Sequence, residues 1–244
     1  MFCEKSNNSF FYPEFLLSNK ILTKMKRIGL FLITILALIS SCTIRQEYHF
    51  NEDFSGTYIN IIDMKMFNDF MASSGNETLD MGVSFKDSLQ KYLETATAEL
   101  EKVEGISNIK FGWNEANSGP FLSYDFRDIE SLNNSIRVSG LSSEFSTMNI
   151  NKEIFDIPVF TLKGKKLTYN PPKMEQVNEL NGGEMKQMLD FYKYEVAFYF
   201  KNGVKKVTND NVIISEDRKL IELKGNLFEM ISPAFDAKVI MKTR

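Results

Sequence analysis

The chain has 244 residues, of which 43% are hydrophobic and 25% are charged, a composition that is typical of a folded globular protein and excludes wholesale disorder. Two Cys and one His are too few for a disulfide framework or a Cys/His metal cluster. The formal net charge is −3, so there is no excess of basic residues to indicate a nucleic-acid partner.

The strongest signal lies near the N-terminus. A basic stretch at 24–27 precedes an apolar run from Ile28 to Ile39, and two small residues follow it. This order is typical of a secretory signal peptide, and the run is shorter than the roughly 20 apolar residues of a membrane-spanning helix. We predict a signal peptide over residues 1–41. Because Met25 is a better start than Met1, residues 1–24 are interpreted as a misassigned start or an extended basic region.

The residues Ile39-Ser40-Ser41-Cys42 resemble the bacterial lipobox, in which an aliphatic residue and two small residues precede the Cys that receives the lipid. The alternative is an ordinary signal peptide with a chance Cys near its end. We predict Cys42 as the lipidation site and mature N-terminus, with acyl chains such as palmitate as the membrane anchor. Since Thr43 rather than Asp follows, we expect the outer membrane, on its periplasmic side.

Cleavage before Cys42 changes the charge balance. Five basic and two acidic residues are removed, which leaves 24 basic and 30 acidic side chains and a net charge of −6. This acidic surface makes nucleic acid a poor partner. With Cys42 consumed by lipid, the mature chain has no thiol for a disulfide.

The mature chain begins with a polar stretch. Residues 42–53 are interpreted as a lipidated tether, and His49 as a solvated side chain on it. The β-branched and aromatic residues from Phe54 to Ile62 predict a first strand. Asp63 is a candidate cap for a short helix with Met64, Phe67 and Met71 on one side.

The clearest helical pattern begins at a capping-box-like pair, Ser84 and Asp87. Apolar residues recur at helical spacing as far as Val103, and Gly105 stands where a helix C-terminal glycine is expected. The predicted inward face consists of Phe85, Leu89, Tyr92, Leu93, Ala96, Leu100 and Val103.

Two strands, Ile109–Trp113 and Phe121–Phe126, are predicted next. Asp128 is expected to cap a second helix, and Gly140–Phe155 has so little pattern that it is interpreted as a loop. The inward residues of the second helix are Ile129, Leu132 and Ile136.

A hairpin of Val159–Leu162 and Lys166–Tyr169 is predicted around Gly164. A third helix is expected to follow it and to lead into the next strand. Its inward residues are Met185, Met188, Leu189 and Tyr192.

The best strand pattern alternates Tyr194, Val196, Phe198 and Phe200 with charged residues. The following Asn202-Gly203 predicts a type I′ hairpin that pairs Tyr194–Phe200 with Val204–Thr208. Further strands are predicted at Val212–Ser215, Leu220–Lys224 and Phe235–Met241.

These elements predict one α+β domain over residues 54–244, preceded by the signal-peptide helix. Because hairpins alternate with segregated amphipathic helices, we expect an antiparallel β-sheet with the helices packed on one face. No Gly/Pro/Ser-rich linker divides this range.

The sequence contains no nucleophile elbow, P-loop or dinucleotide fingerprint. Asp125, Asp128 and Glu130 cluster in sequence, but a helix cap and a solvated face explain them better than paired catalytic carboxylates. Asn209-Asp210-Asn211 with Asp217 lacks the ligand spacing of a Ca²⁺ loop, and a turn is the better interpretation. We therefore expect no enzyme activity, no cofactor and no metal site.

Aromatic residues on the strands can line a pocket, but more often they form the core. Tyr199 is the least ordinary of them, because it lies on the charged side of its strand. The candidates are Trp113, Phe121, Phe198, Tyr199 and Phe200, and the sequence identifies no ligand-binding residue.

The stretch Phe121–Asn133 resembles a strand-then-helix element of the LppM-type bacterial lipoprotein domain, in which the strand ends in Phe-x-Asp followed by an apolar residue and Leu-Asn. Val204–Asn209 and Leu220–Leu223 are similar to its late strand–turn–strand. The resemblance implies a membrane-tethered domain that binds lipid or glycolipid, without catalytic residues to carry over. The Phe- and Asn-rich composition is also similar to that of uncharacterised lipoproteins of Bacteroidetes-like bacteria.

We therefore expect a non-catalytic, lipid-anchored protein of the cell envelope that binds a lipid or other amphiphile. The alternative is a structural or assembly lipoprotein that docks on another envelope protein. The expected partners are the membrane, through lipid on Cys42, and a lipid ligand or an envelope protein.

Overall fold

The computed structural model describes residues 42–65, 90–91, 93–114, 119–142, 156–173 and 192–244. The chain divides into two units, Met1–Leu38 and Ile39–Arg244, and every described residue belongs to the second. The predicted signal peptide, the short helix beyond Lys65 and the helix around Met185 lie outside the described residues.

Seven strands form a large sheet. They are β1 (Thr43–Phe50), β2 (Gly56–Asp63), β3 (Ile106–Asn114), β4 (Gly119–Phe126), β7 (Lys193–Phe200), β9 (Val212–Ile214) and β10 (Leu220–Asn226). Their order in the sheet is β3-β4-β2-β1-β7-β10-β9. All neighbours are antiparallel except β1 and β7, which run parallel in the register Thr43↔Lys193 to Phe50↔Phe200.

Four strands form a small antiparallel sheet. They are β5 (Phe160–Lys163), β6 (Lys166–Tyr169), β8 (Val204–Thr208) and β11 (Val239–Thr243). Their order in the sheet is β5-β6-β11-β8.

Three helices with a described span of five residues or more accompany the sheets. Helix α1 comprises the helical residues 90–91 and 93–100, α2 spans Ile129–Ser142, and α3 spans Leu227–Ile231. A capping box fixes the start of α3, because the Asn226 side chain accepts from the Glu229 N–H while the Glu229 carboxylate accepts from the Asn226 N–H.

The core lies between the two sheets and takes side chains from both, together with residues of α1 and α2. Successive residues of a strand point to opposite faces, so β1 and β7 each place alternate residues in this core. Fully buried members include Phe160 and Leu167 of the small sheet and Val196 and Phe198 of the large sheet.

Several local predictions are confirmed. The Asp128 Oδ1 accepts from the Ser131 N–H at 2.8 Å at the start of α2, with Ile129 and Leu132 buried. The hairpin around Gly164 forms, and Gly164 has a φ of 59°. Gly105, in the turn after α1, has a φ of 84°. The loop predicted over Gly140–Phe155 is wrong at its start, because α2 continues to Ser142, and the remaining residues 143–155 lie outside the described ranges.

The tether prediction for residues 42–53 is wrong. Thr43–Phe50 is β1, and it pairs with β2 on one side and β7 on the other. Its polar residues mislead because most of them (Thr43, Arg45, Glu47 and His49) belong to one face, while Tyr48 and Phe50 on the other face are 2% and 3% exposed.

The hairpin predicted at Asn202-Gly203 is also wrong. A turn does form, with the Gly203 N–H donating to the Phe200 carbonyl at 3.2 Å, but only Gly203 has a positive φ. The chain then leaves the large sheet, and β8 pairs with β11 instead of β7. The turn directs Val204 into the shared core from the second sheet.

The α+β class holds in a coarser form, a mostly β protein with a few helices. The single antiparallel sheet is replaced by two sheets, one of which contains a parallel pair. The parallel register aligns Tyr48 with Phe198 on the core face and Arg45 with Glu195 on the other. The core face of the pair is therefore mostly apolar, and the other face is mostly polar.

Candidate functional site

Cys42 is the residue immediately before β1. Its carbonyl accepts a hydrogen bond from the Lys193 N–H at 3.0 Å, so the sheet ladder already includes Cys42. The thiol is free and half-buried. Burial, followed by the negative charge of Asp63, raises the pKa of the Cys42 thiol.

Asp63 and Lys193 face Thr43 from the two strands beside β1. Tyr192, just before β7, has its pKa raised by burial and by the nearby Cys42 thiol. We call the edge of the large sheet formed by Cys42, Asp63, Tyr192 and Lys193 the Cys42 end.

A second cluster lies on the outer face of the large sheet, opposite the core. Arg45 donates from Nε to Glu47 at 2.7 Å, and from Nη1 to Glu195 at 2.6 Å and Glu222 at 3.2 Å. It also donates from Nη2 to the Tyr199 hydroxyl at 3.1 Å. We call Arg45, Glu47, Glu195, Tyr199 and Glu222 the outer-face network.

The outer-face network joins three strands around one guanidinium. Burial opposes the charge of Arg45, but its hydrogen bonds to Glu47, Tyr199 and Glu195 outweigh burial and raise its pKa. The side chains of Arg45, Glu47 and Glu222 are 25%, 16% and 16% exposed. Sequence reasoning noted only the charged side of β7, because it treated Arg45 and Glu47 as tether.

His49 is not the freely solvated side chain that the sequence suggested. Its ring stacks on Tyr199 at 4.2 Å between centroids and 5° between planes, and its Nε2 lies 2.9 Å from Glu47 Oε2. The hydrogen bond from His49 is the largest effect that lowers the pKa of Glu47. Tyr199, singled out in the sequence, thus connects His49 to Arg45.

Asp125, Asp128 and Glu130, which cluster in sequence, have separate roles, as the preferred interpretation of a helix cap and a solvated face requires. Asp125 accepts from Thr57 at 2.6 Å and from Asn108 at 2.7 Å, whereas Asp128 caps α2 and Glu130 is exposed. In the part of the chain that the structure describes, no group of three His, Cys, Asp or Glu side chains is arranged to hold a metal ion.

Residues 209–211 form the turn that the sequence predicts. The Asn209 side chain donates to the carbonyls of Asp236 and Lys238, and Asp217 accepts from Ser215 in a separate turn. These groups therefore serve the loops that hold them.

The aromatic candidates do not converge on one pocket. Phe198 and Phe200 are buried in the core, whereas Phe121 and Tyr199 alternate with core residues and lie on the outer face. Two clefts of about 120 and 170 Å³ are present elsewhere, the first beside Asn133 and Ile157 and the second beside Phe54 and Lys165.

No family model and no curated protein matches this chain. Among solved structures, the chain is similar to the NMR structure of the folded domain of LppM from Mycobacterium tuberculosis. The two share 10% sequence identity at a TM-score of 0.35, over 83% of this chain and 89% of that chain. This structural similarity is weak. No helix within the described ranges is long and apolar enough to cross a membrane.

Proposed function

We propose that this protein is a lipid-anchored component of the cell envelope whose folded part begins at the lipidated Cys42. One observation carries the proposal: the Cys that ends the basic, apolar and small-residue series is also the residue immediately before β1, and its carbonyl already accepts from the Lys193 N–H of β7. Cleavage before Cys42 removes the targeting segment and leaves every described strand intact. Acyl chains then hold the domain on the membrane, since each buried methylene contributes about 0.8 kcal/mol.

The anchor is tested by Cys42→Ala. We expect this variant to lose incorporation of labelled palmitate and to move from the membrane to the soluble envelope fraction. The fold is expected to persist, because the described domain depends on Cys42 through its backbone carbonyl rather than its thiol.

Cys3→Ala is the matched control, since Cys3 is the other thiol of the chain and precedes the cleavage point. It is expected to retain labelling and membrane association. A membrane-bound Cys42→Ala protein, together with an unlabelled wild type, would show that the apolar segment anchors the chain without lipid.

Beyond anchoring, we propose a non-catalytic role in binding. The sequence favours an amphiphile, but the aromatic strand residues Phe198 and Phe200 are in the core, and the two clefts named above, both lined by described residues, are smaller than the roughly 300–1,000 Å³ of typical ligand pockets. The outer-face network instead presents fixed charges, which favours the second candidate, docking on another envelope protein.

Two experiments on the full-length lipoprotein separate these roles. Native mass spectrometry after mild detergent extraction detects an amphiphile as a retained mass beyond that of the acylated chain. Cross-linking in cells detects docking as one stoichiometric protein adduct. We place the domain on the periplasmic side of the outer membrane, and separation of inner and outer membranes tests this placement.

A further inference from the structure

We propose that the Cys42 end of the large sheet is a membrane-contacting surface. The proposal rests on the lipidation of Cys42 proposed above and adds the orientation of the domain. Its basis is that no linker separates the anchor from the folded sheet, since Thr43 is already paired with Asp63 and Lys193. The partner is a lipid bilayer surface.

The ladder fixes which strand ends lie beside the anchor. β7 runs parallel to β1 and begins at Lys193, while β2 is antiparallel and ends at Asp63. β10 ends at Asn226 opposite Lys193, and β4 begins at Gly119, where an added Cβ would meet the Ile62 carbonyl. Five strands therefore begin or end at the Cys42 end of the sheet.

The spacing between strands gives the distances from Cys42 to the other strand ends. Neighbouring strands lie about 4.8 Å apart, so Lys193 and Asp63 lie about 5 Å to either side of the Cys42 strand. Asn226 and Gly119 lie about 10 Å away, and Trp113 on β3 about 15 Å away. Because β1 is the central strand of the sheet, an anchor on Cys42 brings all of these strand ends to the headgroup layer of the bilayer.

The side chains at the Cys42 end are of types that contact lipid headgroups. Lys193 and Lys65 are exposed cations that can contact lipid phosphates, and Tyr192 and Trp113 are half-buried aromatics of the types enriched at membrane interfaces. Asp63 is half-buried and accepts from the Lys65 N–H at 3.0 Å, so its carboxylate is partly engaged within the protein.

The opposite end of the same strand provides a matched control. Lys201 directly follows β7 and is also exposed, with its Nζ 3.6 Å from Glu52. At about 3.3 Å per residue, Lys193 and Lys201 are about 26 Å apart along the sheet. A bilayer in contact with the first is well separated from the second.

The test measures the depth of a fluorophore on the full-length lipoprotein. Once Cys42 is acylated and Cys3 has been cleaved away, Lys193→Cys and Lys201→Cys each supply the one thiol that can be labelled. Each labelled protein is reconstituted into phosphatidylethanolamine/phosphatidylglycerol vesicles that carry nitroxide lipids as quenchers. We expect quenching to be several-fold stronger at position 193 than at 201.

A ten-residue Gly/Ser linker inserted between Cys42 and Thr43 tests the cause. Such a linker spans about 18 Å on average, so the domain can leave the surface while the protein stays anchored. Quenching at 193 is expected to fall towards the value at 201. Equal quenching at both positions, or stronger quenching at 201, overturns the proposal. Unchanged quenching with the linker supports the contact and assigns it to the side chains of the Cys42 end instead of the short connection to the anchor. Failure of lipidation itself appears separately, because the wild type then does not float with the vesicles.

Discussion

At the residue scale, Arg45 is the centre of the most connected polar group in the described chain. One guanidinium lies against the carboxylates of Glu47, Glu195 and Glu222, none of which is more than 22% exposed. Hydrogen bonds to charged groups are stronger than neutral ones, and half-buried carboxylates without a cation repel each other. The network is therefore expected to stabilise the pairing of β1, β7 and β10 through Arg45.

Arg45→Met tests this expectation. Loss of the guanidinium leaves three neighbouring carboxylates, and we expect the free energy of unfolding at pH 7 to fall by about 2 kcal/mol, between the values for exposed and fully buried pairs. Urea denaturation provides the measurement. Lys224→Met is the matched control, because Lys224 is 3.3 Å from Glu222 but 40% exposed, and it should cost about 0.5 kcal/mol.

The same variant has a pH signature. The hydrogen bond from His49, and then Arg45, lower the pKa of Glu47 below its ordinary value although burial raises it. A lowered pKa stabilises the folded state above the unfolded pKa, and this contribution is lost as the pH falls through the folded pKa. The loss in the free energy of unfolding caused by Arg45→Met should therefore shrink on acidification, because protonation of the carboxylates removes their mutual repulsion. A deficit that is constant with pH would assign the loss to packing.

At the element scale, β1 determines where the folded domain begins. Its eight residues pair with strands on both sides, so removing them splits the large sheet between β2 and β7. We predict that a chain starting at Thr43 folds and that a chain starting at Asn51 does not. Circular dichroism and thermal unfolding distinguish the two outcomes. A cooperative transition of the Asn51 chain would mean that residues 42–50 are dispensable.

Elements that depend on residues close together in the sequence were predictable. The cap at Asp128, the hairpin around Gly164 and the positive φ of Gly105 follow from local chemistry and were predictable. The alternation of Tyr48 and Phe50 with Glu47 and His49 also signals a strand, but the short and polar character of the stretch after Cys42 favours a tether.

Long-range pairing was not predictable in this way. The residues of β7 alternate in polarity in the same way whether β7 pairs with β8 or with β1. Tyr48 of β1, which lies opposite Phe198, is about 150 positions earlier in the chain. The outer-face network was missed for the same reason, because its members meet only after β1, β7 and β10 come together. Local periodicity specifies a strand and its faces, but it does not specify the partner strand.

Helix α2 also protects the edge of the small sheet. The Asn133 side chain donates to the Phe160 carbonyl and accepts from the Phe160 N–H, both at 2.8 Å, so it replaces a neighbouring strand at the edge of β5. Asn133→Ala is expected to destabilise the protein by about 2 kcal/mol, since two backbone groups lose their partner. Denaturant unfolding measures the loss, with Asn134→Ala expected to change it by less than about 0.5 kcal/mol. Equal effects of the two substitutions would contradict the bridging role.

At the scale of the whole molecule, the two sheets share one aromatic core. Phe160 of the small sheet lies 4.9 Å from Tyr48 and 5.9 Å from Phe50 of the large sheet, measured between ring centroids. Tyr169 of the small sheet lies 5.0 Å from Phe198 of the large one. Aromatic pairs at these distances add stabilisation beyond the buried area. Neither sheet can therefore bury its inner face without the other.

This sharing predicts that both sheets unfold in one transition and that Phe160→Ala weakens both together. Phe160 is 1% exposed, so its truncation should lower the free energy of unfolding by about 4 kcal/mol.

Two probes measure the transitions. Trp113, the single Trp of the chain, reports β3 of the large sheet by fluorescence, while far-UV circular dichroism reports both sheets. The two midpoints should coincide in the wild type and fall by the same amount in the variant. Ile213→Ala, at a residue that is 58% exposed, should lower the free energy of unfolding by less than about 0.5 kcal/mol and leave both midpoints almost unchanged. A variant whose Trp113 transition stays in place while the circular dichroism transition moves would show that the sheets unfold independently.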